Sequence, residues 1–266
     1  DTGSLLCFCT MAGTYDRVET VLDVLGLEYR VVRGPELGRM TLTPEQVVFV
    51  NCPGSSIQTT GLRRLAAFVH AGGTLVTTDW ALKHVIERAF PGILAYNGCP
   101  TCGGPDECVR IRIAKPDDPV VQGVTDTGED PVWWLEPSSY PVKVLAPDRV
   151  EVLIDSDEMG ARYGERPIMV RFAAGEGIVY HMVSHYYLQR AETRSQRATA
   201  SASTLLTAAG LPPETAESFA DVKIAEVEAA YSSARVMYNL ISEARRRGRF
   251  DQHQRGSKDS DLLAAK

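Results

Sequence analysis

The sequence predicts an α/β fold: a mostly parallel sheet with helices on both faces, plus a long C-terminal helix. Three observations predict it. Short apolar runs alternate with stretches of helical periodicity from residue 4 to residue 90. Some of those runs, Val47–Val50 above all, are continuous rather than alternating, as strands covered on both faces require. The resulting order of strands and crossover helices implies parallel pairing.

Taken in order, Ser4–Cys9 reads as the first strand. Tyr15–Leu25 places Val18, Val21, Leu22 and Leu25 at helical spacing, with Gly26 where a C-terminal cap belongs. Tyr29–Val32 and Gln46–Val50 are the second and third strands. Leu62–Ala71 is a helix with Leu62, Leu65, Ala66 and Val69 on one face, ended by Gly72 and Gly73. Thr74–Thr78 is the fourth strand, and Trp80–Phe90 a helix stopped by Pro91 and Gly92. Asn97–Cys108 reads as a loop, Val109–Ala114 as an alternating strand, and Lys115–Tyr140 as a long excursion carrying Trp133 and Trp134. Val150–Asp155 is a strand, and Ile168–Ala173 with Gly177–Val183 flanks a hairpin signal at Ala174–Glu176. Gln189–Ala209 and Pro213–Arg247 read as long helices. The domain organisation expected is therefore an α/β domain over 4–211, a helix over 213–247, and a polar, disordered tail over 248–266.

Composition narrows the function classes. A chain of 266 residues with 44% apolar content is ordinary globular protein, which excludes wholesale disorder. The 28 basic and 34 acidic residues give a net charge of −6, which argues against a dedicated nucleic-acid binder. No apolar run approaches the length of a membrane span, so no membrane partner is expected. The first residues show neither a basic region nor a long apolar core, so no signal peptide is visible, although the chain does not begin with Met. Six cysteines are too sparse for a disulfide scaffold, and Cys7, Cys9 and Cys52 adjoin apolar runs. Both features point to a reducing cytoplasm.

Three segments carry a resemblance to a known family. VVFVNCPGSS (47–56), LRRLAAFVHAGGTLVTTDW (62–80) and GEGIVYHMVSH (175–185) together resemble the class I glutamine amidotransferase-like superfamily, whose fold is flavodoxin-like. In working members a Gly-rich loop after the third strand helps to build an oxyanion hole; that loop here is Asn51-Cys52-Pro53-Gly54. The next strand ends in a sharp elbow bearing a nucleophilic Cys. Here the elbow position is Asp79, followed by Trp80. The family's catalytic His sits in a His-Pro-Glu setting after a late strand, whereas this chain has His181 and His185 without Pro-Glu. The resemblance thus implies a catalytically divergent member that lacks glutaminase activity.

Ligands of open α/β sheets bind beyond the carboxyl ends of the strands. The expected cleft is therefore lined by Asn51, Cys52, Gly54, Trp80 and His181, with Asp79 and His185 as its catalytic pair. Asp79 can serve as base, metal ligand or anchor for a ligand hydroxyl; equally, it can be the N-cap of the helix that starts at Trp80. Cys52 is either a reactive loop thiol or a packed small apolar residue. His181 and His185, four apart, would share one face of a strand, either as metal ligands or as hydrogen-bonded structural residues. Two function classes follow. One is a ligand-binding or protein-assembly module without amidotransferase chemistry. The other is a hydrolase-type enzyme using Asp79 and His185, with or without a metal.

Two further features stand apart. Cys99, Cys102 and Cys108 form one Cys-Pro-x-Cys-Gly knuckle plus a third thiol, a pattern that fits half of a zinc site, free thiols or a disulfide. Ala220, Ile224, Val227, Tyr231, Ala234, Tyr238 and Ile241 step by alternating fours and threes, a heptad-like seam. Such a seam over residues 220–241 needs cover, either from its own domain or from a homo-oligomer or protein partner.

Overall fold

The computed structural model describes residues 8–102, 108–125, 131–186 and 196–264; residues 197, 198 and 248–264 are described by secondary structure alone. In chain order the first half runs β1 (Phe8–Met11), α1 (Val18–Val24), β2 (Tyr29–Val32), β3 (Val47–Val50), α2 (Thr59–His70), β4 (Thr74–Thr78) and α3 (Glu87–Ala89). There follow β5 (Leu94–Tyr96), β6 (Cys108–Arg110), β7 (Arg112–Ile113), β8 (Val132–Trp134), β9 (Val142–Val144), β10 (Val150–Asp155) and α4 (Asp157–Tyr163). The chain ends with β11 (Pro167–Ala174), β12 (Gly177–Met182), α5 (Gln196–Thr199), α6 (Ala202–Ala208), α7 (Pro213–Glu217) and α8 (Ile224–Ala264).

One eight-stranded sheet, in the order β2-β1-β3-β4-β12-β11-β10-β7, organises the molecule. Strands β2, β1, β3, β4 and β12 are mutually parallel, while β11, β10 and β7 join antiparallel. The expected mostly parallel α/β architecture is the one observed. Every residue of β1, β3 and β4 is buried, which is why their sequences are continuous rather than alternating. Helix α2 presents Leu62, Leu65, Phe68 and Val69 to the sheet. Side chains as deeply buried as Leu65 contribute about 1.5–3 kcal/mol each.

The hairpin β11–β12 forms in the expected place, with Ala174 opposite Gly177. Other expectations are revised. The first strand is observed from Phe8, and residues 4–7 lie outside the described residues. Val109–Ala114 is not one strand: β6 pairs with β8 and β7 with β10, with Ile111 between them completely buried. The excursion from Lys115 contains β8, and its buried Trp133 donates Nε1–H to Ser232 Oγ of α8 at 2.7 Å. Helix α4, which the sequence reading missed, is bounded by the Ser156 N-cap and a left-handed Gly164.

The C-terminal region also departs from the expected pair of long helices. Pro212 starts the short α7, and α8 begins only at Ile224, after a stretch of turns. α8 runs on to Ala264, well past Arg247. Val236, Met237, Leu240, Ile241 and Ala244 join the main core, and Asn239 Nδ2–H donates to the carbonyls of Val120 and Gln122 at 3.1 and 2.7 Å. From the seam, Ile224 and Ile241 are buried, whereas Tyr231 and Tyr238 stay 38% and 53% exposed. The buried face is rotated away from the seam because Ser232, Ser233 and Asn239, polar in sequence, are among its covered residues. Among the described residues, no helix is long and apolar enough to cross a membrane.

Candidate functional site

The four loops that follow β1, β3, β4 and β12 meet at the carboxyl end of the parallel strands. The neighbours β1 and β3 leave the sheet centre in opposite directions, the switch point where such folds hold ligands. From these loops come Asp16, Cys52, Asp79 and His185, all no more than 2% exposed.

Asp79 sits in a true elbow. Its φ is 42°, rare for a residue with a Cβ, and its N–H donates to Met182 O at 2.8 Å. The turn therefore hangs between β4 and β12 and directs the carboxylate inward. It does not cap the following helix. Oδ1 accepts from Tyr140 N–H at 2.8 Å and Oδ2 from the Ser139 hydroxyl at 3.2 Å. The helical stretch beyond opens as a wide π-turn over Leu82–Ile86 with no side-chain cap.

Around Asp79 the donors and acids are dense. The Cys52 thiol donates to Asp79 Oδ2 at 3.8 Å, and His185 Nε2 lies 3.8 Å from the same oxygen. His185 Nδ1 faces Glu136 Oε1 at 3.0 Å. Thr78 Oγ1 donates to Asp16 Oδ2 at 2.6 Å and accepts from Cys52 N–H at 3.2 Å, which locks the loop after β3 to the loop after β1. Gly13 allows that approach: a Cβ there would stand 2.5 Å from Asn51 Cβ and 2.6 Å from Cys52 O.

The electrostatics follow from crowding. Burial pushes the Asp79 carboxyl up to about 7, with His185 pulling the other way. Burial likewise pushes the Cys52 thiol up to about 11, and the Asp79 charge adds to it. Burial opposes the imidazolium of His185. Hydrogen bonds to Cys52 and Glu136, with the charges of Asp16 and Glu136, overcome that penalty and raise His185 well above the usual histidine value. His185 is thus shifted towards its charged form and Cys52 towards its neutral thiol.

An aromatic wall adjoins this centre. Trp80 stacks on Tyr140 at 5.4 Å, Tyr140 on Tyr96 at 4.1 Å, and Tyr15 meets the Trp80 edge at 5.5 Å. Trp80 Nε1–H donates to Ser138 O at 2.6 Å, which ties the wall to the segment that also holds Asp79.

The structure brings together Asp79, His185 and Cys52, with Trp80 beside them, and gives the other predicted cleft residues contacts within the fold. His181 lies within β12, is completely buried, and its Nδ1 meets Thr77 Oγ1 at 2.8 Å. β12 ends at Met182, so the chain turns before His185 and the two histidines do not share a strand face. Asn51 is structural: Oδ1 accepts from Val18 N–H at 3.1 Å and Nδ2–H donates to Glu19 at 3.0 Å, which secures the start of α1. Gly54, at φ 68°, is packed so closely that a Cβ would stand 2.9 Å from Val85 and 3.0 Å from Val50. Cys99 and Cys102 are exposed and Cys108 is buried on β6, and residues 103–107 between them lie outside the described residues. The sequence reading missed Asp16, Glu136 and Ser139. Glu136-Pro137-Ser138-Ser139-Tyr140 ends the long excursion that carries the tryptophan pair, and no periodicity marks it.

No family model matches this chain, and no curated protein does. Solved structures do. PurLQS from Thermotoga maritima aligns with a TM-score of 0.53 at 12% identity, over 90% of this chain and 98% of that one. A ThuA-like protein from Parabacteroides merdae aligns with a TM-score of 0.45 at 15% identity, over 67% and 78%. The exo-β-1,4-mannosidase Op5Man5 from an Opitutaceae bacterium gives 0.45 at 10% identity; the match covers 68% of this chain but only 31% of that enzyme's length. At 12% identity the PurLQS likeness speaks for the fold alone, and it agrees with the flavodoxin-like α/β sheet described above.

Proposed function

We propose that this chain is a divergent member of the class I glutamine amidotransferase-like superfamily that binds a small-molecule ligand and has no glutaminase activity. The observation that carries this is the elbow. Asp79 occupies the strained position from which a nucleophile would project, and its carboxylate is held by Tyr140 N–H and the Ser139 hydroxyl. A carboxylate attacks an amide poorly, whereas it anchors a hydroxyl or cationic group well. The wall of Tyr15, Trp80, Tyr140 and Tyr96 supports a ligand with a flat aromatic or sugar face. Among the described residues no disulfide is formed, in keeping with a cytoplasmic setting. The outer face of α8, with Tyr231 and Tyr238 exposed, is our proposed contact for a second chain.

The test is ammonia release from glutamine together with Trp80 fluorescence in titrations with nucleosides and monosaccharides. No ammonia and a saturable change in fluorescence are expected. Ammonia release that disappears in Cys52→Ala would reveal a displaced nucleophile and overturn the reading.

A second reading has one specific observation behind it. Glu136 orients His185 at 3.0 Å, with Nε2 turned towards Asp79, the arrangement of a general base and its supporting acid. On that reading the site is hydrolytic, with His185 activating water beside Asp79.

A further inference from the structure

We propose that Cys52, Asp79 and His185 form a transition-metal site suited to Zn2+, with the Cys52 thiolate, Asp79 Oδ2 and His185 Nε2 as its three protein ligands. The proposal rests on the reading of Asp79 as a ligand-holding group rather than a nucleophile.

The geometry carries it. One ligand atom from each residue lies within 4.8 Å of the others, and all three side chains are buried. The separations from Asp79 Oδ2 are 3.8 Å to the thiol sulfur and 3.8 Å to the imidazole nitrogen. For N–H and carboxylate oxygen that distance is too long for a direct hydrogen bond. Ligand atoms about 2.0–2.3 Å from a tetrahedral Zn2+ stand about 3.3–3.6 Å from one another, so a shift of a few tenths of an ångström closes the site. Sulfur, nitrogen and carboxylate oxygen are the donors that zinc accepts.

Charge and support agree with the geometry. A thiolate and a carboxylate neutralise a divalent ion, while the imidazole binds uncharged. The His185 imidazole stands between two carboxyls, Asp79 at 3.8 Å and Glu136 at 3.0 Å, so its surroundings are rich in acid. His185 Nδ1 already faces Glu136 at 3.0 Å, the carboxylate contact that fixes the ring with Nε2 turned towards Asp79 Oδ2 at 3.8 Å. Tyr140 N–H and the Ser139 hydroxyl hold Asp79 in turn. Three protein ligands leave a fourth position for water or a bound ligand, as in catalytic rather than structural zinc sites. Binding would release the Cys52 thiol proton and the His185 Nε2 proton to solvent.

The test uses the full chain, stripped with a chelator and titrated with Co2+ and then Zn2+. We expect one Co2+ per chain, thiolate-to-cobalt charge-transfer absorption in the near ultraviolet, and bleaching by Zn2+. Cys52→Ala should lose that absorption, while the Cys99→Ala/Cys102→Ala double variant keeps it. Glu136→Gln should keep the band but weaken Zn2+ binding about 10- to 100-fold, the usual cost of losing a supporting carboxylate. A wild type without the band overturns the proposal, as does a band lost in the double variant. Both outcomes are read on proteins that retain Cys52, so the test survives a Cys52→Ala variant that fails to fold. Ammonia release by metal-free protein would sink the parent reading instead, and is scored separately.

Discussion

His185 Nδ1 and Glu136 Oε1 lie 3.0 Å apart, joining the loop after β12 to the segment after β8. The two residues are distant in sequence, and only the fold makes them neighbours. Glu136→Gln in metal-free protein replaces a carboxylate that faces a raised imidazole. A hydrogen bond to a charged group contributes about 1.5–3 kcal/mol, so the variant should be destabilised by about that much. Urea midpoints of wild type and variant at neutral pH check this, and an unchanged midpoint would mean that the pair adds nothing to stability.

His181 predicts a pH dependence. Burial lowers its pKa to about 3, so it stays neutral in the folded protein, whereas in the unfolded chain it protonates near 6.5. Acid therefore favours the unfolded state. The contribution is fully present above about pH 6.5 and is lost as pH falls from there towards 3, at about 1.4 kcal/mol per pH unit. Asp79 and His185, both raised, act in the opposite direction over this range, so the component is read as the difference between wild type and His181→Leu in urea unfolding at pH 7.5 and 5.5. His181→Leu should lack that component, since Thr77 Oγ1–H keeps its bond to Tyr180 O at 3.3 Å.

Gly54 should tolerate no side chain. Its φ is 68°, and a Cβ would meet Val85 Cγ2 at 2.9 Å and Val50 Cγ1 at 3.0 Å. Backbone strain and overpacking add, so Gly54→Ala should cost about 2–4 kcal/mol. A fall in melting temperature measures it, and a variant as stable as wild type would contradict the packing described for this loop.

α8 should behave as part of the core on its inner face. Leu240→Asp places an unpaired charge where the side chain is completely buried, at a cost of about 3 kcal/mol or more. Ser232→Ala removes the acceptor of the buried Trp133 Nε1–H, at about 1–3 kcal/mol. Tyr238→Ser, on the outer face, should leave stability within about 0.5 kcal/mol. If that face meets a second chain, Tyr238→Ser lowers the mass seen by light scattering; an unchanged mass removes our proposed contact.

Local pattern was enough for much of this molecule. The continuous run Val47–Val50, the helical face of Leu62, Leu65 and Val69, and the turn at Gly175 each state an element, because periodicity and turn chemistry act over a few residues. The elbow was legible too, since strand, Asp79 and Trp80 follow in order. Tertiary structure decided the rest. Nothing near Glu136 in sequence says that it will face His185, and nothing near Asn51 says that it will be spent on Val18 and Glu19 rather than on a ligand. Splitting Val109–Ala114 between two sheets and turning α8 so that Ser232 is buried and Tyr238 exposed are likewise long-range outcomes. The physical reason is common to all of them: a hydrogen bond or buried contact between segments far apart depends on where the sheet carries each one, and that information is spread over the whole chain.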